Sequence, residues 1–425
     1  MRHRVVITGM GVAAPNAHGL EHFEQALRDG KSGIRFIPEL AELDFACQIG
    51  GIPEDFDIIR KSYFDHEKLL SINDNIGYVS VAAVDAWRDA GFSLPEDDSD
   101  DVDWDTGAIL GCGIGGMDTI ATRVVPMVSE GKTRRLGSRI VEQVMNSGTS
   151  ARVAGLLALG NQVTSNSAAC STGTEAIVDS MVRIRNGLAK RMLAGGSEGA
   201  SPFIWAGFDS MRVIARKFND RPEQGSRPMS ASAGGFVPGA GGAVLVLEDL
   251  ETALQRGARI YGEILGGYVN CGGQRNGGSM TAPNPIGVQQ CIKRAIDDAR
   301  IDPDEIDGIN GHLTATFADP KEVHNWSSAL KRGPDTFPYI NSTKSMIGHC
   351  LGAAGAIESV ATVLQIYRGF LHPSINCEDV HPEIEAFAHR IPRTMMEFPE
   401  LNIMVKACFG FGDVNSCLIF KKWEG

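Results

Sequence analysis

Short apolar runs alternate along the chain with longer stretches in which apolar residues recur at helical spacing. The short runs predict strands over residues 4–8, 108–110, 191–194, 243–247, 259–266, 306–310, 403–407 and 416–420. The helical spacing predicts helices over residues 20–28, 76–90, 141–159, 251–256 and 287–300. Because strands and helices alternate, the pattern predicts an α/β fold with helices on both faces of the sheet.

A new set of elements begins near residue 259, with a strand, a loop rich in glycine and asparagine over residues 270–287, a helix and a further strand. The two parts of the chain could be a duplication, although their sequences are not visibly alike. The six aspartates between residues 97 and 105 predict an exposed loop.

Composition limits the class of protein. The 425 residues, 43% of them hydrophobic, suffice for one large or two fused domains. The formal net charge of −12 argues against general nucleic-acid binding. No membrane span or signal peptide is predicted, because the apolar runs are too short. Nine scattered cysteines, without a C-x-x-C pair, predict a cytoplasmic protein with neither disulfides nor a zinc site.

Cys170 lies in the segment 163–177, which predicts a strand, a tight turn of small residues and then a helix. The thiol would therefore lie at a helix N-terminus, where the macrodipole and free N–H groups favour the thiolate and lower the pKa. A buried apolar cysteine is the ordinary alternative. The sequence Ala-Ala-Cys-Ser-Thr-Gly is poor core material, however, so we predict that Cys170 is a nucleophile.

Two histidines occur in distinctive surroundings downstream. His312 follows the apolar run 306–309, at the end of a predicted strand, where functional groups of α/β folds commonly lie. His349 lies in the segment 342–358, whose small residues would let a helix pack closely. Packing accounts for the glycines and alanines but not for Lys344 or His349. The segment Phe409-Gly-Phe-Gly, taken alone, is compatible with an ordinary turn.

One cysteine, two histidines and a Gly-Phe loop, in this order, resemble the β-ketoacyl-acyl-carrier-protein synthase I/II group of thiolase-like condensing enzymes. The segments 111–116 and 226–228 match as well. The resemblance implies a thiolase-like duplicated α/β/α layered fold. It assigns the cysteine to an N-terminal half, residues 1–258, and both histidines to a C-terminal half, residues 259–425.

The implied activity is decarboxylative Claisen condensation in fatty-acid or related polyketide or polyene biosynthesis. Cys170 would hold an acyl group, and His312 and His349 would act on malonyl-acyl-carrier protein. The resemblance implies no metal and no bound organic cofactor, since phosphopantetheine arrives on the acyl carrier protein. It also implies a homodimer, or a heterodimer with a second ketosynthase-like subunit.

Two other protein classes are alternatives to this interpretation. A non-catalytic chain-length or scaffold subunit of such a heterodimer would need none of Cys170, His312, Lys344 and His349. A thiolase would need a second catalytic cysteine near the C-terminal glycine loop, for which Cys408 is the only candidate.

Further roles are implied by the resemblance. Lys344 and Glu358 would form a polar network behind the histidines, where an ammonium keeps a nearby imidazole neutral. The implied oxyanion hole and gate consist of the backbone N–H groups of Cys170 and Phe409 together with Gly410. Residues implied to contact substrate are Thr314, Thr316, Ile114, Phe208 and Leu313, and those implied to dock carrier protein are Arg134, Arg135, Arg212 and Lys68.

The sequence departs from the family pattern at several positions. Leu313 stands where the family has glycine, and the loop from His312 to Asp319 is one residue short. Asp413 and Val414 replace the usual Gly-Thr. We therefore predict a divergent paralogue, in which Leu313 narrows the pantetheine tunnel or reshapes the acyl pocket.

Overall fold

The computed structural model describes residues 2–96 and 99–425. Its strands are β1 Val5–Ala14, β2 Ala17–His18, β3 Ile34–Phe36, β4 Ile49–Gly51, β5 Thr106–Cys112, β6 Val163–Thr164, β7 Arg191–Glu198, β8 Gly241–Asp249, β9 Gly262–Cys271, β10 Gly308–Asn310, β11 Tyr339–Asn341, β12 Phe370–Leu371, β13 Met396–Glu397, β14 Ile403–Gly410 and β15 Val414–Lys421.

The α-helices lie between these strands. They are α1 Leu20–Asp29, α2 Pro38–Glu42, α3 Phe56–Tyr63, α4 His66–Leu69, α5 Asp74–Asp89, α6 Met117–Thr119, α7 Val125–Ser129, α8 Ile140–Val144, α9 Gly148–Leu157, α10 Thr172–Arg185, α11 Pro202–Ser210, α12 Leu250–Gln255, α13 Pro285–Ala299, α14 Asp319–Leu330, α15 Lys344–Ile347 and α16 Ala354–Arg368.

One large sheet has the strand order β11-β10-β14-β15-β9-β1-β8-β7-β5-β6, with β2 paired to β1. Strands β1 and β9 meet antiparallel at its centre. From there, each half of the chain continues outward with two antiparallel pairs followed by two parallel pairs. This repeated order of strand directions confirms the predicted duplicated α/β fold.

Helices α10 and α16 pack against each other and against strands of both halves. Their close contact depends on two glycines. A Cβ atom on Gly173 would lie 2.6 Å from the backbone nitrogen of Ala356, and one on Gly355 would lie 2.2 Å from Oγ1 of Thr174. The small residues predicted to permit close helix packing therefore do so.

The predicted end of the first strand is wrong, because β1 continues through Gly9 and Gly11 to Ala14. The two glycines do not form a turn. A Cβ atom on Gly9 would lie 2.3 Å from the carbonyl oxygen of Ala86, and one on Gly11 would lie 2.0 Å from that of Ala82. They therefore allow α5 to approach the strand closely.

Several other predicted boundaries also differ from the structure, among them that of the strand predicted over residues 259–266, which is β9 Gly262–Cys271. The helix predicted over residues 141–159 is divided into α8 and α9, because Met145 has extended backbone geometry. Strand β7 was predicted to end at residue 194, but it continues through Gly195 and Gly196 to Glu198. Within the predicted aspartate-rich loop, residues 99–102 are exposed, whereas Asp97 and Asp98 lie outside the described residues. Among the described helices, none combines the length and apolar character that crossing a membrane requires.

We expect Gly11→Ala to lower the free energy of unfolding by about 1–3 kcal/mol or more, because the added methyl group would overlap α5. Chemical denaturation measures this change. Gly155→Ala is the matched control, since Gly155 is exposed in α9 and an added Cβ has no neighbour within 4 Å. The control should gain about 0.5–1 kcal/mol from the lower entropy of the unfolded chain. Equal stability of Gly11→Ala and wild type would refute the close-approach argument.

Candidate active site

Cys170 lies in a short 3₁₀ turn, Ala169–Ser171, that leads directly into α10. Ala169 has a left-handed backbone with φ of 47°, which is unfavourable for a residue with a Cβ atom. The Ser171 hydroxyl donates a hydrogen bond of 3.1 Å to the carbonyl oxygen of Cys408, which joins the turn to β14. The predicted strand, turn and helix are confirmed, and this turn fixes the position of the thiol.

The structure brings Cys170 together with both histidines. Nε2 of His349 lies 3.0 Å from Sγ of Cys170, and the ring centroids of His312 and His349 are 5.2 Å apart in a perpendicular arrangement. The ligand-type atoms of the three side chains all lie within 4.8 Å of one another. Such a set could also hold a metal ion, which the spacing of these residues in the sequence did not indicate.

The prediction of a lowered pKa for Cys170 is wrong. Burial raises the pKa of the Cys170 thiol to about 12, and the neighbouring Cys408 contributes in the same direction. The charge of Lys344 and a hydrogen bond from the backbone of Phe411 lower this pKa by less. Removal of water outweighs the helix N-terminus, so the resting group is a thiol next to the imidazole of His349.

Both histidines are held in the neutral form. Burial, followed by the positive charge of Lys344, keeps the pKa of His312 and of His349 well below the ordinary value. Lys406 acts on both rings in the same direction. Neutral imidazoles retain one N–H donor and one free acceptor each, which suits them to bind an anionic oxygen or to accept a proton.

Behind the histidines, two buried lysines share one buried carboxylate. Lys344 pairs with Oε1 of Glu358, as the resemblance implied, and Nζ of Lys406 lies 2.6 Å from Oε2. Lys406 also donates to the backbone carbonyl oxygens of Gly311, at 3.2 Å, and Ala407, at 2.8 Å. It therefore supports the loop that begins with His312. Lys406 was not predicted from the sequence, although a lysine within the apolar run 403–407 was an available signal.

Two further buried carboxylates hold the loop after His312. Glu322 accepts the backbone N–H groups of His312, at 2.7 Å, and Leu313, at 2.8 Å. Asp319 accepts those of Thr314, at 2.9 Å, and Ala315, at 3.0 Å. Burial raises the pKa of Glu322 to about 7 and that of Asp319 to about 6. The backbone of the loop is therefore fixed by the first turn of α14.

The predicted contact of Leu313 with substrate is wrong. Leu313 is fully buried and packs in the apolar core of the C-terminal half, and it does not line the cavity in front of Cys170. Its backbone has φ of 27°, which turns the side chain into the core. Thr314 and Thr316 do line the cavity, as predicted, and their hydroxyls are 3.1 Å apart.

The cavity in front of Cys170 has a volume of about 500 Å³ and mainly apolar walls. Of the residues predicted from the sequence, Cys170, Phe208, His312, Thr314, Thr316, His349, Phe409 and Gly410 line it. Phe236, which the prediction did not include, also lines it and meets the ring of His349 edge to face at 5.2 Å. Such walls suit an acyl chain with a polar thioester at its inner end.

Ile114 does not line this cavity within the single chain, and 37% of its surface is exposed. Its backbone is nevertheless fixed, because Glu198 accepts the N–H groups of Gly113 at 3.0 Å and Ile114 at 2.9 Å. Burial raises the pKa of Glu198 to about 7. A contact of Ile114 with substrate would need a neighbouring subunit to enclose this loop, so that assignment stays a prediction.

The segment 409–412 passes directly over the cysteine. Gly410 has no room for a side chain, since a Cβ atom there would lie 3.1 Å from the backbone nitrogen of Cys170 and 3.2 Å from the carbonyl oxygen of Ala168. The loop therefore brings its backbone next to the N–H group of Cys170.

The four predicted docking residues are not among the residues that line the cavity. Arg212 is exposed and stands between Met211 and Val213, both of which line the cavity. Arg134 and Arg135 are exposed on a short 3₁₀ turn. Lys68 pairs with Asp65 at 3.4 Å. Of these four residues, Arg212 is the one placed next to the cavity by its chain neighbours.

Comparison with known proteins agrees with this geometry. The family description "Beta-ketoacyl synthase, N-terminal domain" matches residues 2–253, and "Beta-ketoacyl synthase, C-terminal domain" matches residues 261–378. The chain belongs to the β-ketoacyl synthase family.

Among curated relatives of this synthase is the 3-oxoacyl-[acyl-carrier-protein] synthase I, chloroplastic, of Arabidopsis thaliana, 35% identical over 100% of this chain and 87% of the relative. Two solved structures each match over 100% of both chains. The ishigamide ketosynthase/chain length factor has 28% identity and a TM-score of 0.88. A type II PKS ketosynthase in complex with its acyl-carrier protein has 27% identity and a TM-score of 0.87. These similarities confirm the thiolase-like fold.

We expect Lys406→Met to raise the pKa of His312 and His349 towards the ordinary value, because one of the two nearby positive charges is removed. The imidazoles should then become protonated at a higher pH than in wild type, which NMR titration of the two rings measures. Lys190→Met, which removes a surface ammonium paired with Asp105, should leave both titrations unchanged. The loss of one buried partner should also lower the free energy of unfolding by about 3 kcal/mol. Identical titrations of a folded Lys406→Met variant and wild type would contradict the electrostatic argument.

Proposed function

We propose that this chain is a 3-oxoacyl-acyl-carrier-protein synthase that joins an acyl group to malonyl-acyl-carrier protein with loss of carbon dioxide. The observation that carries the proposal is the 3.0 Å contact between Sγ of Cys170 and Nε2 of His349, with His312 in the same apolar cavity. A nucleophile and two neutral imidazoles are the groups that this condensation needs.

In the first half-reaction, Sγ of Cys170 attacks the thioester carbonyl of the acyl-acyl-carrier protein. Because burial holds the thiol in its protonated form, its proton passes to Nε2 of His349 as the sulfur attacks. The carbon–sulfur bond to phosphopantetheine then breaks, and His349 returns the proton to the departing thiolate. The products are an acyl thioester on Cys170 and the free thiol of the carrier protein.

In the second half-reaction, the malonyl carboxylate leaves as carbon dioxide, and the electron pair of the broken carbon–carbon bond becomes an enolate. His312 and His349, both neutral, donate N–H groups to the enolate oxygen. For His349 this uses the tautomer with the proton on Nε2, which the ring adopts by exchanging its proton with water after the first half-reaction. The enolate carbon attacks the acyl group on Cys170 and forms the new carbon–carbon bond. The thiolate of Cys170 departs and is reprotonated by water.

We assign the oxyanion hole for both tetrahedral intermediates to the backbone N–H groups of Cys170 and Phe409. The support is the close approach of Gly410 to the N–H group of Cys170. Thr314 and Thr316, which line the cavity, are assigned to binding of the phosphopantetheine arm. The proposed reaction uses no other organic cofactor and no metal.

The proposed partner is acyl carrier protein, and the proposed assembly is a homodimer or a heterodimer with a related subunit. In such an assembly the second subunit would enclose Ile114, and Ile114 would form part of the wall of the acyl pocket. The boundary between the two halves is proposed near residue 258.

All nine cysteines are free, which supports a reducing compartment, for which we propose the cytoplasm. A scaffold subunit is disfavoured, because it would not need the assembled Cys170, His312 and His349.

Cys170 should be the cysteine that acyl-acyl-carrier protein acylates, since among the nine it is the one that lines the cavity. Peptide mass mapping after incubation measures this. Cys170→Ala should abolish condensation.

His312→Ala and His349→Ala should each slow malonyl decarboxylation by about a hundred- to thousandfold, which corresponds to about 3–4 kcal/mol for one lost donor. Acylation found mainly on another cysteine would refute the nucleophile, and wild-type decarboxylation by either variant would reduce that histidine to a structural role.

Carrier protein should dock through arginines despite the negative net charge of the chain. Arg212→Glu, and separately Arg134→Glu combined with Arg135→Glu, should raise the apparent KM for acyl-acyl-carrier protein at low salt, because acyl carrier proteins are acidic. Small acyl thioesters without the carrier are the control substrate, and their KM should not change. An equal loss with both substrates would refute docking at these positions.

A further inference from the structure

Asp413, where the family usually has glycine, is a buried acid directly after the Phe409–Gly412 loop. It is fully buried, and its backbone has φ of 63°. Its two carboxylate oxygens accept different backbone N–H groups from one distant segment. Oδ1 accepts from Asn284 at 2.7 Å, and Oδ2 accepts from Gln274 at 2.9 Å.

The segment 272–284 is shaped around this carboxylate. A Cβ atom on Gly272 would lie 2.3 Å from Oδ2 of Asp413, and one on Gly278 would lie 2.6 Å from the same oxygen. Two backbone hydrogen bonds strengthen the contact, from Gly412 to the carbonyl of Met280 at 2.8 Å and from Gly272 to the carbonyl of Asp413 at 2.9 Å. The carboxylate is therefore enclosed by the segment that it holds.

Both joined segments are walls of the cavity that contains Cys170. Segment 272–284 contributes Gly277, Thr281, Ala282 and Pro283, and the preceding loop contributes Phe409, Gly410 and Phe411. The Asp413 carboxylate accepts hydrogen bonds from two backbone amides of one wall, and its own backbone continues the other wall. It therefore fixes the distance between the two walls. Glycine at position 413 would leave only the backbone bonds between them.

We propose that Asp413 is a positioning residue that sets substrate selection, because it clamps segment 272–284 to the Phe409–Gly412 loop and so restricts the acyl groups that reach Cys170. The clamped cavity admits slim, unbranched acyl thioesters and rejects bulkier ones that require these walls to separate. This inference rests on the proposed function for the identity of the substrate, but the clamp itself does not.

Two variants test the clamp. Asp413→Gly removes the carboxylate without straining the left-handed backbone. Asp413→Asn keeps the size but turns an amide NH₂ towards one of the two N–H donors, which leaves that donor unpaired. We expect amide hydrogen exchange to become at least about tenfold faster at residues 274 and 284 in Asp413→Gly, and at one of these two residues in Asp413→Asn. Alkylation of Cys170 by a bulky maleimide should also become faster, and the ratio of branched to linear acyl thioesters accepted should rise.

Asp44→Gly is the matched control, because Asp44 is exposed and has the same left-handed backbone, with φ of 57°. It should change none of the three measurements. Unchanged exchange at residues 274 and 284 in both Asp413 variants would overturn the clamp. Faster exchange with unchanged alkylation and unchanged acyl preference would overturn its role in selection. If no acyl thioester modifies Cys170 in wild type, the proposed function fails, whereas exchange and alkylation still decide the clamp.

Discussion

The bonds of Glu358 to Lys344 and Lys406 are the interaction on which the active site depends. Removing three ionised groups from water is costly, and a cluster with two ammonium groups and one carboxylate keeps an excess of positive charge. Such a cluster is poorly suited to stabilise a fold by itself. It does, however, hold the pKa of both histidines down and bind the backbone next to His312. We interpret it as a structure retained for the chemistry of the cavity.

The same burial determines how the thiol is used. A helix N-terminus stabilises a nearby anion by about 0.3–1 kcal/mol in exposed positions. Complete burial can move a pKa by about 3–5, which is a larger effect. Because Cys170 is buried, burial prevails over the helix N-terminus and keeps the pKa of the thiol raised. A buried thiol that stays protonated is also less susceptible to oxidation, which follows thiolate character and exposure.

Features that depend on local sequence or on a family motif could be predicted from the sequence. Features that arise from tertiary packing between distant segments could not. The turn at Cys170 and the strand before His312 follow from local chain preferences. The role of Gly11 does not, since a glycine in a strand does not show that a helix will pack against it. Leu313 was assigned to the cavity from its position alone, but the bond from its N–H group to Glu322 and its backbone conformation turn the side chain into the core. Lys406 interrupts an apolar run, yet its partner Glu358 is 48 residues away in the sequence.

Sheet topology explains why groups so distant in sequence meet. In each half the parallel strands end at one edge of the sheet, and loops that follow such ends are where α/β proteins place ligands. Cys170 follows the end of β6, His312 follows β10, and Phe409 and Gly410 lie in the last part of β14, beyond its parallel pairing with β10. Helices α10 and α16, packed through glycines at the centre, bring the edge of one half against the edge of the other. Cys170 and the two imidazoles therefore come from different halves, and the site exists only when both halves are folded together.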